Sequence, residues 1–190
     1  MKIIINTCKG REHLLAGIKN QLPEAIVNMD DFTDSGKFQS TAWFNLQRGW
    51  EIAEDEACVQ LQDDIVLTTA FREKLNKAIE TWGLYVIQFF SMRKADTDIG
   101  TRLEHGSTFL MEQCYYLPKG VARKLHEFSK EYYHKTEHTH CPSDICIAEF
   151  LKANKMNYII WCPNLVDHLP VTSQINKKRT ARRQSKTFIP

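Results

Sequence analysis

Ala57-Cys58-Val59-Gln60-Leu61-Gln62-Asp63-Asp64-Ile65-Val66-Leu67 is an apolar strand that runs into two adjacent carboxylates, and its reading decides the fold. Residues 57–61 are the body of a buried strand. Gln62-Asp63-Asp64 is its end, Ile65-Val66-Leu67 continues the apolar run, and Thr68 is placed to cap a helix over about 70–81. Upstream, Phe38 to Glu54 puts Trp43, Leu46, Trp50 and Ala53 on one helical face. Before that helix lies a short strand, Ala25-Ile26-Val27, closed by Asn28-Met29-Asp30-Asp31. Leu14, Leu15 and Ile18 mark a helix stopped by Pro23, and Lys2 to Asn6 is a β-branched first strand. Downstream, Tyr85 to Phe90 is a fourth strand. The order β-α-β-α-β-α-β predicts an α/β fold: a Rossmann-like, mainly parallel sheet flanked by helices.

Such sheets bind ligands where the C-terminal strand ends converge. Here those ends carry Thr7 and Arg11, Asp30 and Asp31, and Asp63 and Asp64. Adjacent carboxylates repel and raise each other's pKa unless a cation relieves them. Oxygen donors of this kind suit Mg²⁺ or Mn²⁺, which also bridge phosphate oxygens. A turn in which one Asp caps and the other is solvated is the competing explanation.

The later chain is less regular. Arg93 to Gly106 is polar and is expected to be a mobile loop. Ser107 to Leu117 predicts antiparallel strands. Pro118 opens a helix with Val121, Ala122, Leu125 and Phe128 on its apolar side. Glu131 to Cys141 is a histidine-rich loop, and Pro142-Ser143-Asp144 begins another helix. Tyr158 to Trp161 is a strand, and Leu165 to Leu169 is strand-like. His134, His138, His140 and Cys141 do not follow a standard zinc spacing, and a loop near an acceptor is the better reading.

The 190 residues, 43% hydrophobic and 25% charged, suit one globular domain and argue against disorder. No apolar run approaches the roughly 20 residues that span a bilayer. The short apolar start is a strand rather than a signal peptide. Six scattered cysteines without a C-x-x-C pair point to reduced thiols and a cytoplasmic protein. Cys58, Cys114 and Cys162 are expected to pack as small hydrophobes. The net charge of +2 says little, but Lys177, Lys178, Arg179, Arg182, Arg183 and Lys186 gather near the end. Such a cluster suits a phosphate, a nucleotide or a nucleic acid, or is a solvated tail.

With these segments in order, the chain resembles the GT-A superfamily of nucleotide-sugar-dependent glycosyltransferases. "LQDDIVL" is similar to its D-x-D-like strand end, "PSDICIAEFL" to its later acid-led helix, and "PNLVDHLPVTS" to its metal-binding histidine turn. "RRQSKTFIP" is similar to the basic, Phe-containing ends of several members. The motif here is Gln-Asp-Asp, with Gln62 in place of the first acid, and the chain is short for the family. The resemblance implies one catalytic domain over 1–190. Its nucleotide part would span about 1–90, an acceptor and metal-closing part about 91–175, and a basic tail 176–190. It implies that Asp64 and His168 bind Mn²⁺ or Mg²⁺ together with the donor diphosphate, a UDP-sugar being the first expectation. Asp63 would contact the ribose or a metal-bound water beside Gln62. Thr7, Arg11 and Asp30 would line the base and ribose pocket, and Lys177, Arg179 or Arg183 would close over the diphosphate. Asp144 would be the general base of an inverting transfer to a hydroxyl acceptor. That acceptor is either a saccharide or a hydroxymethylated pyrimidine in phage-type DNA, the latter needing base flipping.

Two other classes compete. A non-catalytic nucleic-acid-binding domain would use the basic cluster but leaves Asp63, Asp64 and Asp144 unexplained. A metal-dependent phosphotransferase or nucleotidyltransferase would call for a glycine-rich phosphate loop, and Asn6-Thr7-Cys8-Lys9-Gly10 is not a P-loop.

Overall fold

A computed structural model describes residues 1–31, 38–135, 143–171 and 183–190, without the side chains of 38–41 and 133–135. Lys2–Cys8 forms β1, Ile26–Asp30 β2, Cys58–Gln62 β3, Ile65–Leu67 β4, Val86–Gln88 β5, Arg102–His105 β6, Cys114–Leu117 β7, Asn157–Ile160 β8 and Val166–His168 β9. The helices are α1 (Leu15–Gln21), α2 (Phe38–Ala53), α3 (Phe71–Trp82), α4 (Asp96–Ile99), α5 (Val121–Lys135) and α6 (Ser143–Ala153). Seven strands form one sheet in the order β2-β1-β3-β7-β5-β8-β6. β1 pairs in parallel with β2 and β3, and β5 with β8, while β7 and β6 run against their neighbours. Five strands therefore share one direction and the sheet is Rossmann-like and mostly parallel, as the alternating pattern predicts.

β1 shows why the sheet is buried on both sides. Side chains alternate across a strand, and Ile3 and Ile5 enter one core with Ile18, Leu22, Phe71 and Leu75. Ile4 enters the other with Trp43, Trp50, Leu125 and Phe150. Helices α1 and α3 thus cover one face, and α2, α5 and α6 the other. Cys58 and Cys114 are fully buried as expected, whereas Cys162 is half-buried and lies past the end of β8.

The structure differs from the sequence expectations at several places. Ile65–Leu67 does not extend β3: the chain bends at Asp63-Asp64, and β4 pairs antiparallel with β9, Ile65 opposite His168. Thr68 does not cap α3, whose N-cap is Ala70 in a left-handed conformation (φ 55°). Its hydroxyl instead donates to the Ile189 carbonyl (2.6 Å) and accepts from Lys74 Nζ (2.6 Å). The polar stretch 93–106 is not a loop throughout. Arg102 donates to buried Asp96 (2.8 Å) and to Glu104 (2.6 Å), and this clasp secures α4 and the edge strand β6. Ser107 to Leu117 yields one strand, β7, because residues 106–108 form a 3₁₀ turn. The helix α5 runs on to Lys135, and His138, His140 and Cys141 lie outside the described residues.

Candidate active site

The C-terminal ends of β1, β2 and β3 lie side by side, with Asn6 opposite Gln62 and Cys8 opposite Asp30. Their loops deliver Thr7, Arg11, Asp30, Gln62, Asp63 and Asp64 to one edge of the sheet. Thr7 Oγ1 donates to Asp63 Oδ2 (2.7 Å). Arg11 Nη2 stands 2.9 Å from Asp63 Oδ1 and 3.0 Å from Asp64 Oδ2. That nitrogen is buried and has no directed hydrogen bond, so its hold on the two acids is one of charge. Arg11 therefore supplies the cation that adjacent carboxylates need. It is engaged with the acids rather than open toward a base.

Pairing of β4 with β9 completes this pole. His168 Nε2 lies 3.5 Å from Asp64 Oδ2, and the Leu169 N–H donates to the Asp64 carbonyl (2.8 Å). Asp167 Oδ1 accepts from the Ser185 N–H (2.8 Å), and Asn164 Oδ1 from the Ser185 hydroxyl (2.7 Å). Residues 183–190 are thereby tied to the flank of the site. Arg183 sits there, partly exposed, while Lys177 and Arg179 lie outside the described residues. Asp30 is buried at the end of β2, its carbonyl accepting from Lys9 N–H (2.8 Å).

The second pole is formed by two short segments facing each other. Met111 N–H donates to Asp144 Oδ2 (3.3 Å), and the Ser143 hydroxyl donates to Glu112 Oε1. Met111 holds this turn at φ 78°, and Gln88 Nε2 donates to its carbonyl (2.8 Å) and to that of Leu110. Glu112 was not singled out in the sequence, because a lone acid in the apolar run Phe109-Leu110-Met111-Glu112-Gln113-Cys114 matches no motif. Its carboxyl is pushed up to about 8, first by burial and then by the Asp144 carboxylate, with a smaller push from Asp64 and an opposing bond from Ser143. The Gln62 N–H donates to the Gln113 carbonyl (2.9 Å), which sets this turn beside the first pole.

Asp63 is pushed up to about 6, chiefly by burial. The Thr7 hydroxyl and Arg11 oppose that push and Asp64 adds to it. An acid whose folded-state value exceeds its unfolded one binds its proton more tightly when folded. Its stabilising effect is complete below about pH 4 and is lost as pH rises through about 6. Asp63→Asn should remove this part of the slope. Urea unfolding between pH 4 and 7 checks it, and an unchanged slope in the variant contradicts the assignment.

As for a metal, Asp64 and His168 supply one oxygen and one nitrogen donor side by side. Among the described residues no group of three or more His, Cys, Asp or Glu is arranged to hold an ion. A pair of protein donors nevertheless fits an ion whose other ligands are phosphate oxygens and water. A shallow depression lined by Trp50, Glu54, Asp55, Arg123 and His126 lies elsewhere, beside the segment that precedes β3, and joins none of these groups.

No helix among the described residues is long and apolar enough to cross a membrane. No family model matches the chain, and no curated protein matches it. Solved structures do. A CTP:phosphocholine cytidylyltransferase of Streptococcus pneumoniae is 13% identical, with 88% of this chain and 72% of that chain covered at a TM-score of 0.48. A protein from STIV is 12% identical over 100% of this chain and 97% of its own, at 0.45. An apo UDP-glucose pyrophosphorylase is 12% identical over 80% and 62%, at 0.42. A likeness of this degree concerns the path of the chain alone.

Proposed function

We propose that the protein is a metal-dependent glycosyltransferase that moves a sugar from a nucleotide-sugar donor, a UDP-sugar first, to a hydroxyl acceptor. One observation carries this reading: the Gln62 N–H donates to the Gln113 carbonyl (2.9 Å), so the strand end that leads to the Asp64–His168 pair is joined to the turn whose Met111 N–H holds Asp144. A donor diphosphate and an attacking hydroxyl need two such poles close together.

In this reading Asp64 and His168 hold Mn²⁺ or Mg²⁺. The ion supplies charge neutralisation for the departing nucleoside diphosphate. Thr7, Asp30, Gln62 and Asp63 face the nucleoside, and Asp63, the acid tied to Thr7, takes the ribose side. Arg11, already between the two acids, offers its remaining N–H groups to phosphate oxygens. Arg183, and Lys177 and Arg179 from the same basic cluster, belong to the diphosphate side. Asp144 takes the proton from the acceptor hydroxyl as its oxygen attacks the anomeric carbon, which inverts that centre.

The test is binding and turnover of a panel of UDP-, GDP- and CDP-sugars with Mn²⁺ and with chelator. A donor at about 100 times its Kd adds about 2.7 kcal/mol of stability, which a thermal shift detects. One donor should stabilise the protein only with metal, and Asp64→Ala and His168→Ala should each lose that response. Asp144→Asn should keep the response while release of nucleoside diphosphate falls by about 10²- to 10⁴-fold. No response to any donor, with salt-dependent binding of duplex DNA instead, overturns the reading in favour of a nucleic-acid-binding domain.

A further inference from the structure

Glu112 stands out among the acids of the site because its second oxygen is left without a partner. Oε1 accepts from Ser143, whereas Oε2 is buried and has no hydrogen bond. A buried carboxylate oxygen without a partner is costly if the group is charged. The surroundings add to the cost. Asp144 lies beside Glu112 at the start of α6, and its charge opposes ionisation of Glu112. The turn and the helix start meet as a crossed pair, Met111 with Asp144 and Glu112 with Ser143. Asp144 is the better hydrogen-bonded partner: Oδ1 accepts from the Ile145 N–H (3.0 Å) and Oδ2 from the Met111 N–H (3.3 Å).

We propose that Glu112 is a positioning residue for Asp144: the two carboxyl groups hold one proton between them, it resides on Glu112, and Asp144 is left as the carboxylate that receives the acceptor's proton. The proposal rests on the glycosyltransferase reading only for the use made of Asp144. Like charges side by side cannot both ionise cheaply, and the more deeply buried acid keeps the proton. While Glu112 is neutral, residues 111–112 and 143–144 stay clasped and Asp144 stays in place. Once Glu112 ionises, repulsion between it and Asp144 opens the clasp and displaces the base.

The experiment labels glutamate at its side-chain carboxyl carbon with ¹³C and follows Glu112, assigned by its loss in Glu112→Gln, from pH 5 to 10. Its signal should titrate near pH 8 in the intact protein and at lower pH in Asp144→Asn, where the neighbouring charge is gone. In parallel, UDP release from the UDP-sugar that the protein accepts is measured over the same range. The wild-type rate should fall as pH rises through about 8. Glu112→Gln, a permanently neutral stand-in that can still accept from Ser143, should keep the rate at pH 7 and lose the alkaline fall. A Glu112 signal already ionised at pH 7, or one that Asp144→Asn does not move, overturns the proposal. So does an alkaline fall that persists unchanged in Glu112→Gln. A chain whose Glu112 titrates as expected but which turns over no donor overturns the transferase reading and leaves the shared proton standing.

Discussion

Arg11→Ala should lower the stability of the metal-free protein by about 3–5 kcal/mol at pH 7, as removal of one partner from a buried ion pair does. The Arg11 side chain is 11% exposed, and those of Asp63 and Asp64 5% and 17%. Without the guanidinium, two carboxylates face each other with Thr7 and His168 beside them. The loss should shrink on acidification, because Asp63, pushed up to about 6, no longer needs the cation once protonated. Loss of packing alone would not vary with pH. Mn²⁺ should also stabilise the variant more than the wild type, since an ion at Asp64 takes over part of Arg11's charge. Urea unfolding at pH 5 and pH 7, with and without Mn²⁺, reads all three effects. A loss of under about 1 kcal/mol that does not vary with pH would place Arg11 among ordinary surface ion pairs.

The same residue shows where reading the sequence succeeds and where it stops. Thr7, Arg11, Asp30, Asp63 and Asp64 could be gathered in advance because each follows an apolar run, and parallel strands bring such ends together. Which atom meets which could not be foreseen. Arg11's engagement with both acids depends on the bend after β3, and that bend depends on β4 finding β9 far along the chain. A three-residue strand with a distant partner leaves no periodic trace. β6 was hidden for another reason. Arg102-Leu103-Glu104-His105 is an edge strand with exposed Leu103 and His105, stabilised by a charge pair on its inner side. Glu112 was hidden because its burial arises only when the start of α6 packs against its turn. Asp144, by contrast, was marked by the proline and serine that open its helix.

Gly49→Ala should destabilise the protein by about 2–4 kcal/mol, against the gain of about 1 kcal/mol that alanine brings to a helix interior. Gly49 lies within α2, where that helix crosses the sheet. A Cβ there would stand 2.6 Å from Asn6 Oδ1, 2.9 Å from Gln60 Oε1 and 3.3 Å from Asn28 Nδ2. These three side chains are buried and bonded in series. Asn28 Nδ2 donates to Asn6 Oδ1 (2.8 Å), and Asn6 Nδ2 to Gln60 Oε1 (3.0 Å). Gln60 Nε2 closes the chain on the Gly49 carbonyl itself (2.9 Å). None can retreat without leaving a buried amide unpaired, which costs about 1–3 kcal/mol for each group. The helix must rise instead, and its links to the sheet rise with it. Asn45 Nδ2 donates to the Thr7 carbonyl (3.0 Å), and Thr7 holds Asp63 through its hydroxyl. A shift of α2 therefore reaches the carboxylate pair. The variant should lose metal-dependent donor stabilisation along with its own stability, although Gly49 touches neither acid. Unfolding and thermal-shift measurements on one preparation check both. A variant as stable as the wild type would mean that α2 can slide freely over the amide row, and that the row does not set the position of Thr7.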